Sequence, residues 1–288
     1  HYEWFSKDWK VLPFWIGSRD TFHNLIQNHT IGNDNEKYLR YCELRRQNKV
    51  SYLTQLFKNQ EVDLKWDALI IDESQDINNK WFEILNAIVD KCDKVAIFGD
   101  LNQKFGRGDG YFPSSNYMTI SLNDNVRSGG AIVEICNRLV GQDTNSSIPF
   151  AYRPSLILCK DTENISKCMN SELKRLIESE RWKPGQIAVL HPLRSRRFEP
   201  NIYHIKPRWN QMYDEDSVIQ VSIDGFRGLE REVVIVLIDN FDFQDQKHIR
   251  RLYTAISRAK LKLIIISERE MGHAIFEKSL ELFDVSER

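Results

Sequence analysis

An α/β fold built on parallel sheets is what this sequence predicts, and three observations carry the prediction. Strand-length apolar runs rich in Val and Ile recur without polar alternation, the pattern of strands buried on both faces. Segments with helical spacing of apolar residues separate those runs. One run ends in two adjacent carboxylates, Asp72 and Glu73, and the C-terminal edge of a parallel sheet is where open α/β folds bind ligands.

In chain order the expected strands are Ala68 to Ile71, Val95 to Phe98, Ile187 to Leu190, Val233 to Ile238 and Leu263 to Ile266. Helices are expected over Trp81 to Val89, Ala131 to Val140, Ile165 to Ile177 and Ile249 to Ala259. Turn-forming residues gather between Gly106 and Ser115, which places a domain boundary near residue 120 and predicts two domains, 1–120 and 121–288. The irregular stretch from Pro192 to Asp216 interleaves Arg194, Arg196, Arg197 and Arg208 with Tyr203, Trp209 and Tyr213. Both a solvated surface loop and a nucleic-acid or partner contact fit that pattern. No internal repeat and no low-complexity tract interrupts the chain.

Composition narrows the classes. With 288 residues, 41% hydrophobic and 28% charged, the chain can bury a substantial core and is not of disordered type. A formal net charge of −1 gives no global signal for a polyanion, although a local basic channel can sit inside a neutral average. The cysteines, Cys42, Cys92, Cys136, Cys159 and Cys168, form no Cys-x-x-Cys pair, and their odd number suits no complete set of internal disulfides. They read as reduced thiols in a cytoplasmic protein. No apolar stretch has the length of a membrane span, and the first residues lack the charged-then-apolar layout of a secretory signal. The chain opens on His1 rather than Met, the start expected of a segment inside a longer polypeptide or of a processed product.

The chemistry-bearing segments lie in a fixed order. Asp72-Glu-Ser-Gln-Asp76 follows the first strand, and Gly99-Asp-Leu-Asn-Gln103 closes the second. In nucleoside triphosphatases a strand-end Asp holds Mg²⁺ and a neighbouring Glu orients and deprotonates the attacking water. An acidic turn after a core strand is the plainer alternative for the first segment taken alone. Together the two segments resemble motifs II and III of the UvrD/Rep-like superfamily 1 helicases. The resemblance extends through Leu122-Asn-Asp-Asn-Val-Arg-Ser128, similar to motif IV with Val126 in place of its aromatic residue. It continues through Asp224-Gly-Phe-Arg-Gly-Leu-Glu230, similar to motif V, and Arg251-Leu-Tyr-Thr-Ala-Ile-Ser-Arg-Ala-Lys260, similar to motif VI. Near the start, Thr21, Phe22 and His23 resemble motif Ia, and a capped amphipathic helix explains the same triplet equally well.

That resemblance implies two RecA-like lobes with parallel sheets, the first incomplete at its N-terminus, and the use of ATP and Mg²⁺. It assigns Asp72 to metal and nucleotide, Glu73 to the attacking water, and Gln103 to coupling between γ-phosphate and nucleic acid. Arg127 and Arg258 become phosphate-sensing arginines, Arg258 the arginine finger. Gly228 is implied to allow close approach of phosphate, and Glu230 to accept a ribose hydroxyl. Thr21, Phe22, His23 and Phe105 are implied contacts to single-stranded nucleic acid, DNA ahead of RNA; core packing is the alternative for Phe105. A fused or associated nuclease is compatible with the family.

The sequence contains no Gly-x-x-x-x-Gly-Lys-Ser/Thr and no Gly-Lys dipeptide, so the loop that wraps the β- and γ-phosphates is not among these residues. The expectation is a motor portion that does not hydrolyse ATP by itself. The alternative is a helicase-derived binding module for nucleic acid or protein that never turns over. Short gaps between the motifs leave room for a small 1B-like remnant and for no separate 2B-like domain.

Overall fold

The computed structural model describes residues 68–77, 79–90, 92–104, 110–111, 117–149, 152–191, 215–226 and 228–288. The chain forms two compact units, one of residues 1–99 and 107–112, the other of 100–106 and 113–288. Asp100 and Gln103 therefore pack within the second unit, although they directly follow a strand of the first.

In the first unit, β1 (Ala68–Ile71) is followed by two short 3₁₀ turns and by α1 (Phe82–Val89), which returns the chain to β2 (Lys94–Ile97). The strands pair in parallel, Ala68 opposite Lys94 and Ile71 opposite Ile97. Beyond the strand ends the pairing continues: Phe98 donates its N–H to the Ile71 carbonyl at 2.8 Å, and Ser74 donates to the Phe98 carbonyl at 2.9 Å. Ile71, Leu85, Val89 and Tyr111 are the buried apolar centre of this unit, and the Tyr111 hydroxyl donates to Asn86 Oδ1 at 2.7 Å.

After the 3₁₀ turn Leu101–Gln103, the second unit has a short parallel ladder of β3 (Asp124–Asn125) and β4 (Asn145–Ser146), with α2 (Gly130–Val140) between them. There follow β5 (Ser155–Cys159), α3 (Thr162–Lys174), β6 (Ile187–His191), β7 (Ile219–Ser222), β8 (Arg231–Ile238), α4 (Gln246–Ile256), β9 (Ala259–Glu268), α5 (Arg269–Phe276) and β10 (Asp284–Glu287). Six of these strands form one sheet in the order β10-β5-β9-β8-β6-β7, with every neighbouring pair parallel. The expected α/β class is thus realised.

The apolar runs lack polar alternation because helices cover both faces of that sheet. Leu156, Leu158, Ala188, Leu190, Val234 and Val236 point to one side, where Ile132 and Ile135 of α2, Leu252 and Ile256 of α4 and Phe276 of α5 meet them. Ile157, Cys159, Ile187, Val189, Val233 and Ile235 point to the other, against Ile165, Met169 and Leu173 of α3. Each such side chain contributes about 1.5–3 kcal/mol on burial, which makes this sheet the energetic centre of the unit.

Helix ends differ from the expected ones. The third expected helix, 165–177, begins at Thr162 behind an Asp161 cap and passes at Arg175–Ser179 into a π-helical turn. There the buried Glu172 carboxylate takes Arg175 Nε at 2.9 Å and Arg288 Nη2 at 2.9 Å, while Glu180 takes Lys262 Nζ at 2.7 Å. The fourth, 249–259, starts at Gln246 after the Asp245 cap and stops at Ile256, so Ala259 already belongs to β9. No helix of the described residues is long and apolar enough to cross a membrane.

Candidate functional site

In the first unit, β1 delivers Asp72 and Glu73 at its C-terminal end. The Glu73 N–H donates to Asp72 Oδ1 at 2.8 Å, and the Asp72 side chain faces solvent. Glu73 adopts φ 52° and ψ 41°, the left-handed region that disfavours a residue with a Cβ, and Gln75 Nε2 donates to Glu73 Oε2. The two successive carboxylates therefore sit in different environments. Ser74 and Gln75 behind them are buried, so the turn is anchored by its own interior. A pair of oxygen donors of this kind suits a hard cation that keeps waters and phosphate oxygens in its shell. Among the described residues no cluster of three or more His, Cys, Asp or Glu could hold a metal by protein ligands alone.

In the second unit the sequence-predicted residues Gln103 and Arg258 meet directly. Asp100 caps the 3₁₀ turn Leu101–Gln103, its Oδ1 accepting Asn102 N–H at 2.9 Å and its Oδ2 accepting Gln103 Nε2 at 2.9 Å. Gln103 Oε1 in turn accepts Arg258 Nη2 at 2.9 Å. Arg258 is 3% exposed, so it is not a solvated arginine on a helix face. Its Nε donates to the Thr254 carbonyl at 3.1 Å and its Nη2 also to Ser257 Oγ at 3.1 Å. Arg258 stands in the turn between α4 and β9, where the chain reverses from helix to sheet.

Arg127 is placed by a local turn. It precedes α2, which starts only at Gly130. Asn125 Oδ1 accepts both the Arg127 N–H at 2.9 Å and the Ser128 N–H at 2.8 Å, and this side-chain turn fixes the arginine. Its Nη2 donates to the Ser257 carbonyl at 2.9 Å and its Nη1 lies 3.6 Å from Glu230 Oε2. Its Nε is buried and has no hydrogen-bond partner among the described residues. A spare buried donor beside a half-exposed guanidinium is suited to an anionic oxygen. Glu230 is held from the other side by Lys260 Nζ at 2.7 Å.

Gly228 is exposed with φ +70°, and a Cβ there would meet no atom within 4 Å. The backbone conformation, rather than crowding from the chain, is what calls for glycine.

Electrostatics knit these groups together. The Cys136 thiol of α2 is pushed up to about 12 by burial, partly opposed by the positive charges of Arg258 and Arg127 and assisted by the negative charge of Asp100. Burial, then the Asp100 carboxylate, raises the Tyr253 phenol well above its ordinary range. Tyr253 was quoted within motif VI yet given no role; its hydroxyl donates to Asp100 Oδ2 at 3.1 Å. Lys260, Asn125 and Asp100 were likewise unassigned, and only the positions of Asp100 and Asn125 as short-range acceptors before turns offered a sequence signal. Thr21, Phe22, His23 and Phe105 lie outside the described residues.

Residues 218–266 match the UvrD-like helicase C-terminal domain family, and residues 14–109 match an AAA domain family. The chain is 21% identical over 156 residues to the ATP-dependent DNA helicase Rep of Buchnera aphidicola subsp. Acyrthosiphon pisum (strain APS), an alignment that covers 47% of this chain and 24% of that relative. The match thus takes in about a quarter of the relative's length. Among solved structures, the C-terminal domain of a possible DNA helicase from Lactobacillus plantarum WCFS1 aligns with TM-score 0.41 and 18% identity, over 56% of this chain and 98% of that one.

Proposed function

Because this chain belongs to the UvrD/Rep-like superfamily 1 helicases, we propose that it is the motor portion of an ATP-dependent translocase or helicase acting on single-stranded nucleic acid, DNA ahead of RNA. The observation that carries the reading is the Asp100–Gln103–Arg258 chain of hydrogen bonds, which joins motif III to motif VI side chain by side chain.

Asp72 is the residue to hold Mg²⁺, through an oxygen that the Glu73 N–H does not occupy. Bound with ATP, the ion neutralises charge on the phosphate oxygens. Glu73 accepts a proton from water, its carboxylate positioned by the Gln75 amide that donates to Oε2. Gln103 Oε1 gives up Arg258, freeing a guanidinium whose planar fork matches a phosphate group, while the second Nε2 hydrogen of Gln103 is left to donate to a phosphate oxygen. Arg127 offers an anionic oxygen the Nε that has no partner among the described residues, and Glu230 accepts a ribose hydroxyl while Lys260 holds its other oxygen. We keep 1–120 and 121–288 as the proposed domains.

Phosphoryl transfer is catalysed mainly by positioning and charge neutralisation, so Arg258 should act on turnover far more than on nucleotide affinity. In a polypeptide that includes a phosphate-binding loop, Arg258→Ala should lower nucleic-acid-stimulated kcat by roughly 10³-fold. Arg258→Lys should recover little, since a point charge cannot reproduce the fork. Near-normal stimulated turnover in both variants refutes the motor reading. The 288-residue chain by itself, without a Gly-Lys-Ser/Thr loop, is expected to hydrolyse ATP no faster than buffer. A Mg²⁺-dependent turnover lost in Glu73→Gln contradicts that expectation.

A further inference from the structure

Gln103 is an amide, and an amide has a polarity that something must set. Its Nε2 donates to Asp100 Oδ2 at 2.9 Å and its Oε1 accepts Arg258 Nη2 at 2.9 Å. Turned over, the same side chain would aim its carbonyl oxygen at a carboxylate and its NH₂ at a guanidinium, acceptor against acceptor and donor against donor. Orientation therefore depends on Asp100 keeping Oδ2 in place. That oxygen has a second donor, the Tyr253 hydroxyl at 3.1 Å, while Oδ1 is held by Asn102 N–H at 2.9 Å. Tyr253 and Arg258 leave the same end of α4, and the Arg258 Nε returns to the Thr254 carbonyl one residue past Tyr253. The hydrogen bonds thus run in a ring: Tyr253 to Asp100, Gln103 to Asp100, Arg258 to Gln103, and Arg258 back to the helix that carries Tyr253.

We propose that Tyr253, acting through Asp100, is a positioning residue that holds the Gln103 amide in the one orientation able to grip and release Arg258, and so sets how strongly nucleic acid stimulates turnover. This rests on the motor reading given above. Its distinctive content is that Tyr253 touches neither phosphate nor Arg258 and works only while Gln103 is present. The phenol is 9% exposed, its ring lies in the apolar cluster with Leu252 and Ile256, and Gln142 Oε1 at 3.5 Å is a weaker alternative acceptor. Tyr253→Phe therefore keeps the packing and removes the hydroxyl alone. Asp100→Asn, equal in size, presents either an NH₂ or a neutral oxygen to the two donors and frees the Gln103 amide to turn.

The test uses the complete polypeptide with its phosphate-binding loop and single-stranded DNA as activator. Tyr253→Phe should lower stimulated kcat by about tenfold, the scale of one charge-assisted hydrogen bond, with KM for ATP moved less than about twofold. In a Gln103→Ala background it should lower kcat no further. An equal additional loss in that background, or unchanged stimulation in Tyr253→Phe alone, overturns the proposal. No stimulated hydrolysis in the wild type overturns the motor reading and this inference together, an outcome separate from the other two. A second readout needs no turnover: in the 288-residue chain, Tyr253→Phe should shift the Gln103 side-chain NH₂ resonances and speed their exchange with water, and resonances identical to wild type count against the proposal.

Discussion

Taking the chain from pH 7.5 to pH 5 should remove about 2 kcal/mol of folding stability through a single side chain, His191. This histidine ends β6 at 8% exposure, and burial pushes its imidazole down from the ordinary 6.5 to about 4. The neutral ring presents Nε2 to Gln220 Nε2 at 2.8 Å, so the ring nitrogen accepts and the amide donates. Below pH 6.5 the unfolded chain takes up a proton that the folded chain refuses. Stability contributed by the neutral ring is therefore complete above 6.5, falls as pH drops, and levels off below about 4. The full gap of about two and a half units corresponds to about 3 kcal/mol, of which about 2 kcal/mol is gone by pH 5. Urea unfolding of wild type and His191→Gln at pH 7.5, 6 and 5 isolates the term, because carboxylates titrate alike in both and cancel in the difference. The difference between the two proteins should change by about 2 kcal/mol in favour of the variant as pH falls. A difference constant to within about 0.5 kcal/mol would mean that His191 is not held neutral in the fold, and the reasoning fails.

The thiols offer a chemical check: at pH 8, iodoacetamide should modify the partly exposed Cys92 before the buried Cys136, Cys159 and Cys168, with a thiol near 12 leaving Cys136 about one part in 10⁴ thiolate. Peptide mapping that finds Cys136 alkylated as fast as Cys92 in the folded chain contradicts its burial beside Arg258. The Glu172 carboxylate, buried between Arg175 and Arg288, should be costly to neutralise, and Glu172→Gln is expected to destabilise by about 1–3 kcal/mol. A shift in denaturation midpoint worth under about 0.5 kcal/mol shows that the π-helical turn is held by packing alone.

Where a strand is buried on both faces the sequence announces it, and β6, β8 and β9 all fall where uninterrupted Ile and Val runs stand. Three strands of the same sheet were not foreseen. β7, Ile-Gln-Val-Ser, and β10, Asp-Val-Ser-Glu, are the edge strands, and their half-polar composition reflects a position that local periodicity cannot reveal. β5, Ser155–Cys159, carries only three consecutive aliphatic residues, Leu156, Ile157 and Leu158, a shorter run than those of the strands that were foreseen. The end of α4 was placed too late because Ser257 and Arg258 continue its amphipathic spacing while Ser257 Oγ already bonds back to the Thr254 carbonyl. The motif order pointed to Gln103, Arg127, Glu230 and Arg258 individually. Their partners were not legible, since a bond such as Gln103 to Arg258 spans 155 positions of sequence and depends wholly on how the sheet and its helices close.

Glu73 has a consequence for engineering. Its left-handed backbone at φ 52° costs a residue with a Cβ about 1 kcal/mol or more, and glycine is the substitution that removes the cost. The most stabilising change at that turn is thus the one that deletes the carboxylate. A selection for heat resistance applied to this chain will be drawn toward glycine at 73, enriching proteins that survive longer but lack the carboxylate proposed to activate water. Any stability campaign on this chain needs residue 73 held fixed from the outset.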